Sequence, residues 1–418
     1  MIFRFSKQLF RRASRMTSSN PFTKRDWSSL LREDAADSST FCSEDVKSLQ
    51  AHVKKAATHQ ELSEKACNLI SDIVSAQNKK VILIGESSHG TAEFYETRAL
   101  ITHQLIEEKK CYAVLLEADV PPCAILHRFV MGADLTIKQA MYPFTHRFPC
   151  WMWANEEFQS FVIWLRDYNM AQIEKERVSI VGMDLYSLHT SIINVINYLK
   201  ENDLECATRV ETDYGCFGGN LDPQMYGMLV EKGLHQSCAH VASNACLAIQ
   251  KEQIAPADQP ETTLREIDEA FITEMNAKVV QGAEQYYRSM FAPDANSWNV
   301  RDRHFMHQLN TLKKHMLATR GEDCDRLVVW AHNSHVGNAH HTHLEKKQEV
   351  LPRQTRYQSG GGGGEAEHEL NIGQLAKEKY PEETLLIGQL TYTGTVACAD
   401  SWGGPQRVKE VRPGLLNR

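Results

Sequence analysis

Two histidine-bearing turns dominate the chemistry of this 418-residue sequence: Gly85-Glu86-Ser87-Ser88-His89-Gly90 and His332-Asn333-Ser334-His335. Each follows a short run of Val, Ile and Leu, as do Glu117, with Asp119 behind it, and Asp184. A glutamate three residues before a histidine in a glycine-flanked turn suits general-base chemistry. Imidazole titrates near neutral pH, and an adjacent carboxylate orients the ring and raises its basicity. His89 is the candidate base, with Glu86 or Glu117 as its neighbour. Arg98 lies nine residues on, where it could pair with a carboxylate or hold a developing oxyanion; an ordinary helix-surface ion pair is the plainer role for it.

Two other chemistries and one structural role compete. A serine nucleophile would need G-x-S-x-G, and Gly85-Glu86-Ser87-Ser88-His89 places histidine where the second glycine belongs. A divalent metal is the stronger rival, because Glu86, His89 and Glu93 with His332 and His335 supply N and O donors, although H-E-x-x-H is absent. Metal-free water activation ranks ahead of it, so no cofactor is expected. Capping is the structural alternative: one acid after a strand is commonly a helix N-cap, which suffices for Asp184 but not for two His loops and three carboxylates together. His340, His341 and His343 read as solvated loop residues.

The elements that must position these groups are legible as apolar runs without polar alternation. Lys80–Gly85, Tyr112–Glu117, Val178–Asp184, Arg326–His332 and Thr384–Leu390 read as buried parallel strands. Between them, Glu93–Glu108 is periodic through Phe94, Leu100, Ile101 and Leu105, and Glu156–Asn169 through Phe158, Phe161, Val162 and Leu165. Strand and helix alternating in this way predict an α/β fold with a mainly parallel sheet flanked by helices. The long stretch between the third and fourth strands, about 190–296, predicts a helical insertion with helices over Met228–Ile249 and Thr263–Phe291 and a Pro-containing loop at Ile254–Pro260. In open parallel sheets ligands bind beyond the carboxyl ends of the strands, which is where the reactive residues cluster.

Composition sets the outer bounds. Apolar residues make up 42% and charged residues 24%, a globular balance, and the net charge of −7 argues against a general nucleic-acid binder. No apolar run approaches the ~18 residues of a membrane span. Eleven scattered cysteines without a C-x-x-C pair are the usage of a reduced compartment, most of them read as small buried apolar groups. Residues 1–40 open with a basic, acid-free stretch whose composition is that of a mitochondrial transit peptide or a disordered tail, so a mitochondrial or cytoplasmic location is expected. Without residues 1–25, 39 Lys and Arg face 53 Asp and Glu, and the remainder carries −14. Residues 41–418 form the expected α/β domain, interrupted by a Gly-rich solvent loop at 359–364.

Several uncommon strings then resemble one family. VILIGESSHGTAEFYETR at 81–98, LLEAD at 115–119 and VVWAHNSHVGNA at 328–339 resemble the signature of the erythromycin esterases. RFPCWMWANEEF at 147–158, VGMDLYSLH at 181–189, EQYYRSMF at 284–291, SWNVRDRHF at 297–305, ELNIGQL at 369–375 and TGTVACADSWGGP at 393–405 look like its larger branch, whose substrates are mostly unknown. The resemblance implies an α/β domain with a helical insertion that hydrolyses an ester or lactone, macrolide-like or other, through water activated by a histidine. It places Glu86, His89, Arg98, Glu117 and a histidine of the His332/His335 pair in the cleft. It also brings in Arg301 and Asp302, and makes Asp184, Arg301 and Trp151 candidate substrate contacts. The implied partner is a small-molecule ester or lactone, with no nucleic acid and no membrane. Relatives of the branch continue beyond WGGPQRVKEVRPG with a further strand and helix, so a shortened C-terminus relative to the family is expected. A metal- or haem-binding protein of the same fold, or a non-catalytic relative, is the alternative.

Overall fold

In a computed structural model the described residues are 59–411, apart from 110, 147–148, 220, 258–261, 293–295, 322–323, 342–368, 392–393 and 401–403. The basic leader, the Gly-rich loop at 359–364 and the question of a shortened C-terminus lie outside them. The residues divide into two units, 1–73 and 74–418. In the first, the described residues, from His59 onward, are helical.

The second unit is built on five parallel strands, β1 Val81–Glu86, β2 Ala113–Asp119, β3 Ser179–Asp184, β4 Leu327–His332 and β5 Thr384–Ile387, in the order β3-β2-β4-β1-β5. The strands are apolar throughout because both faces of the sheet are covered. On one face Val81, Leu83, Leu115, Met183, Leu327 and Val329 pack with Phe305, Leu309, Leu312 and Met316 of helix Ser297–Arg320 and with Phe271, Met275 and Val279 of helix Leu264–Ser289. On the other, Trp330 packs at a tilt against Phe161 of helix Glu156–Met170, 4.7 Å between ring centroids, and donates its indole N–H to Thr102 of helix Ala92–Lys109 at 3.0 Å.

Helix Ala92–Lys109 departs from its expected face. Phe94, Ile101 and Leu105 are buried, but Leu100 is 46% exposed. The buried stripe runs through 94, 98, 101, 102 and 105, the helical repeat, and a charged residue, Arg98, occupies one of its positions.

The long insertion is helical, as expected, with helices Leu188–Asn202, Leu204–Tyr214, Pro223–Glu231 and Ala239–Ala257 before Leu264–Ser289. Two details differ. The run Met228–Ile249 is broken, because Gly233 takes φ 68° and the chain turns between Glu231 and Ala239. The helix that follows continues through Ile254 to Ala257, so the Pro-containing segment is helical at its start. These helices form their own core around Val195, Val210, Phe217, Tyr226, Ala242 and Ile249. Helix Leu264–Ser289 belongs to both cores, giving Phe271, Met275 and Val279 to the sheet and Ala277, Val280, Ala283 and Tyr287 to the helical layer. It starts from a capping box in which Thr263 and Glu266 satisfy each other's backbone N–H. Five of the ten cysteines among the described residues, Cys67, Cys111, Cys123, Cys206 and Cys246, are buried thiols, but Cys216 and Cys238 are joined by a disulfide inside the helical core, where sequence spacing alone had suggested none. No helix among the described residues is long and apolar enough to cross a membrane.

Candidate active site

The strand ends meet because of register. Glu86 and His332 are paired neighbours at the ends of β1 and β4, and Asp119 and Asp184 at the ends of β2 and β3. The turn after β1 needs φ 72° at Gly90, where a side chain would run into the ring of Trp151. That turn brings His89 back over the end of its own strand.

Two charge clusters result, one on each side of a cleft of about 190 Å³. In the first, Glu86 is fully buried and accepts from Nδ1 of His89 at 2.7 Å and from Nη2 of Arg98 at 2.7 Å. A carboxylate can only accept, so the neutral ring carries its proton on Nδ1 and leaves the Nε2 lone pair for the cleft. Burial by itself would depress His89, but the hydrogen bond to Glu86 and the charges of Glu117 and Glu86 outweigh it, so its pKa lies above the ordinary value.

In the second cluster, Arg301 is the hub. Its Nε and Nη2 bind Asp184 at 3.0 and 2.7 Å in a bidentate fork, and Nη2 reaches Glu117 at 3.0 Å. Its plane lies over Tyr186 and Phe305 at 4.9 and 4.8 Å. His335 is buried beside it, with Nδ1 2.8 Å from Asp302, Nε2 3.3 Å from Glu117, and Trp298 stacked on the ring at 4.4 Å. Nε2 also lies 3.0 Å from Nη1 of Arg301, and only one of these contacts can be a hydrogen bond at a time. Burial opposes charge on His335, but Glu117 and Asp302 prevail and raise its pKa to about 9, which selects the imidazolium and its bond to Glu117. Glu117 is held well below the usual carboxylate range: burial would raise it, and His335, Arg301 and His89 overcome that. Its second oxygen accepts from the backbone N–H of His332 at 2.7 Å, which ties β2 to β4 at the floor of the cleft.

His332 behaves differently. Its Nδ1 accepts from the backbone N–H of Ser334 at 3.2 Å, so a neutral ring carries its proton on Nε2. Burial and the neighbouring His89, 5.1 Å away between ring centroids, both lower its pKa.

His89, Glu117, Asp184, Arg301, His332 and His335 all line the cleft. Three sequence expectations need correction. Arg98 is fully buried, stacked between Tyr95 and Trp330 at 4.3 and 4.9 Å, and cannot reach an oxyanion in the cleft; it holds Glu86 in place. Trp151 packs on Gly90 behind His89, and Met152 and Trp153 form the wall instead. Asp184 is no helix cap, because both its oxygens bind Arg301 and the next helix is preceded by Ser187. Sequence reasoning passed over Trp298, Tyr186 and Phe144 as wall residues. The signal for Trp298 was available: 298, 301, 302 and 305 share one helical face.

Among the described residues no three His, Cys, Asp or Glu side chains are arranged to share a metal ion. Glu93 is exposed on its helix, and the carboxylates that could hold a cation are turned onto Arg98 and Arg301. The cleft residues Glu117, Asp119 and Asp184 against Arg301 and the His335 imidazolium leave a slight excess of negative charge.

The erythromycin esterase family model matches residues 106–418, beginning downstream of Glu86, His89 and Arg98. Among solved structures, a Bacillus cereus protein is 18% identical over 83% of this chain and 75% of its own, with a TM-score of 0.61. A succinoglycan biosynthesis protein is 15% identical over 83% of this chain and 75% of its own, with a TM-score of 0.60. An erythromycin esterase variant in an open conformation aligns at 15% identity over 82% of this chain and 78% of its own, with a TM-score of 0.49. At these identities the likeness to the first two structures is one of fold, and it agrees with the parallel sheet flanked by helices. With most of its length matched by that family model, the chain belongs to the erythromycin esterase family.

Proposed function

We propose that this protein is an esterase-type hydrolase that cleaves a carboxylic ester or lactone with water activated by His89. The observation that carries this reading is the Glu86–His89 dyad, whose Nε2 lone pair opens into the cleft shared with Arg301 and His335. Water placed between His89 and a bound carbonyl would give its proton to Nε2 as its oxygen attacks the carbonyl carbon. Negative charge developing on the carbonyl oxygen would meet the cationic side of the cleft, Arg301 and His335, which are buried and already oriented by Asp184, Glu117 and Asp302. Preorganisation of this kind avoids reorganising solvent during the reaction.

Family membership supports the reaction class, and the dimensions of the cleft bear on the substrate. At about 190 Å³ it is smaller than the ~300–1,000 Å³ typical of sites that enclose a drug-sized ligand. It accommodates the ester group with a modest flanking substituent, and a larger molecule would have to extend out of it. Aromatic walls from Phe144, Trp153, Tyr186 and Trp298 favour an apolar neighbour to the carbonyl. A panel of activated esters and lactones of increasing size, hydrolysed by wild type and by His89→Asn, tests the assignment. Loss of roughly 10²-fold or more in the variant is expected, and undiminished hydrolysis would overturn the role of His89.

A further inference from the structure

The turn that carries His89 is anchored from two directions. Glu86 holds the ring from inside the sheet, and the chain that leaves β5 holds the turn from outside. β5 stops at Ile387, and Gln389 beyond it lies across the strand ends instead of extending the sheet. Its Nε2 donates to the Gly85 carbonyl at 2.9 Å, at the start of the turn, and to the Phe94 carbonyl at 3.3 Å, in the helix that follows. Its own backbone carbonyl accepts from Asn333 Nδ2 at 2.7 Å, in the turn after β4.

Further on, β6 Thr395–Cys398 pairs antiparallel with β7 Arg407–Glu410 as a two-stranded hairpin. Its Ala397, 8% exposed, meets the far side of the His89 turn. The backbone N–H of Ala397 donates to Thr91 Oγ1 at 3.0 Å, the Thr91 hydroxyl donates to Ser88 Oγ at 3.2 Å, and the Ser88 hydroxyl donates to the Ala397 carbonyl. Each hydroxyl gives one hydrogen bond and takes one, so the three residues close a ring in which every donor has an acceptor. Hydrogen bonds linked in this way polarise and strengthen one another.

These hydroxyls are not engaged in other chemistry. Thr91 immediately precedes helix Ala92–Lys109, where a hydroxyl ordinarily caps the first-turn amides, but its oxygen is spent on Ala397. Ser88 is bound to a carbonyl and is no nucleophile, and neither residue lines the cleft. What the ring brackets is His89 and Gly90. Gly90, at φ 72°, is the position where the turn is freest to rotate, and a clamp on both sides of it restricts that freedom.

We propose that Ser88 and Thr91 are positioning residues that clamp the His89 turn to Ala397 of the hairpin, so that Nδ1 stays on Glu86 and Nε2 stays aimed into the cleft. The clamp rests on the reading of His89 as the base. It also gives a role to Ala397 within the string TGTVACADSWGGP, which the catalytic groups leave without one.

Ser88→Ala and Thr91→Val each break the ring with little change of shape, and Thr91→Ser keeps the hydroxyl. The titratable and charged groups facing His89 are Glu86, Arg98, Glu117 and His332, and none of them is altered. The ¹⁵N resonances of His89 in the full chain, assigned by their loss in His89→Asn, are followed through a pH titration. In Ser88→Ala and Thr91→Val the midpoint should fall by about one pH unit, because the bond to Glu86 loosens while burial still opposes the charge. Thr91→Ser should restore it. On the best ester of the panel, kcat should fall about ten- to a hundredfold with KM within about twofold, since the walls of the cleft are untouched.

Midpoints within about 0.2 of wild type in both variants would overturn the clamp, even if their melting temperatures fall, because a merely stabilising ring would not move His89. If either variant fails to fold, hydrogen exchange in the wild type decides: a protected Ala397 amide supports the clamp and a rapidly exchanging one overturns it. Inactivity of His89→Asn beside unmoved midpoints and kcat sinks the clamp and leaves the base standing. Moved midpoints beside full hydrolysis by His89→Asn sink the base and leave the clamp.

Discussion

Replacing Glu86 by glutamine tests the catalytic proposal at its most constrained point. The carboxylate is fully buried, and its two oxygens serve His89 and Arg98 at 2.7 Å each. The substitution preserves shape, but it removes the charge that raises His89 and leaves the cation of Arg98 nearby. A unit charge at ~4 Å and an effective dielectric of about 20 is worth roughly 4 kcal/mol, or about 3 pKa units as an upper bound. Burial already acts to lower His89, so without Glu86 its pKa should fall below the ordinary histidine value. His89 acts as a base only when neutral, so wild-type kcat/KM should rise with pH through a point above 6.5. In Glu86→Gln that limb should move to lower pH, and the plateau should drop by about 10²–10³-fold as orientation and basicity are lost. The assay is a pH profile of kcat/KM on the best ester of the panel, with thermal melts alongside to separate unfolding from lost chemistry. An acid limb at the same pH with a plateau within about threefold of wild type would refute the idea that Glu86 acts through His89.

Three further outcomes follow from the same geometry. His335 is raised to about 9 in the folded chain, so its contribution is complete below 6.5 and lost as pH rises through 9. Denaturant unfolding should show about 3 kcal/mol of stability disappearing over that window, and not in His335→Gln. Arg98→Met should destabilise the fold by about 3–5 kcal/mol because Glu86 is left buried without its cation, and adding Glu86→Gln to it should restore part of that loss; unfolding curves of the two variants decide it. Gly373→Ala would press a Cβ into the carbonyls of Val336 and Gly337, in the turn that carries His335. It should cost about 1–3 kcal/mol in unfolding experiments and lower kcat together with stability.

The five strands were legible within one or two residues, apart from the end of β5, because both faces of the sheet are covered and an unbroken apolar run has few alternatives. The gathering of Glu86, Glu117, Asp184 and the His332/His335 pair at one rim was legible for a related reason: parallel strands deliver all their carboxyl ends to the same side. The burial of Arg98 and the placement of Trp151 were not. Position 98 lies on the buried stripe of its helix, where a charged residue is exceptional, and only the indole and phenol rings of Trp330 and Tyr95 with the charge of Glu86 make its burial tolerable. Trp151, Met152 and Trp153 are consecutive, and which of them faces the cleft depends on a short helical turn that packs against Gly90.

By itself the sequence determined that the chain makes a parallel α/β sheet and that histidines and carboxylates end its strands. It also determined, through the quoted strings, the family to which the chain belongs. Only the tertiary structure decided how those charges divide. Arg301 sits far along the chain from Glu117 and Asp184, separated from them by the helical insertion, and meets them only when helix Ser297–Arg320 packs beneath the sheet. Local sequence carries periodicity and turn chemistry, which are short-range. The protonation of His89, His332 and His335 depends on burial and on charges contributed by other elements, and those exist only after the chain has closed.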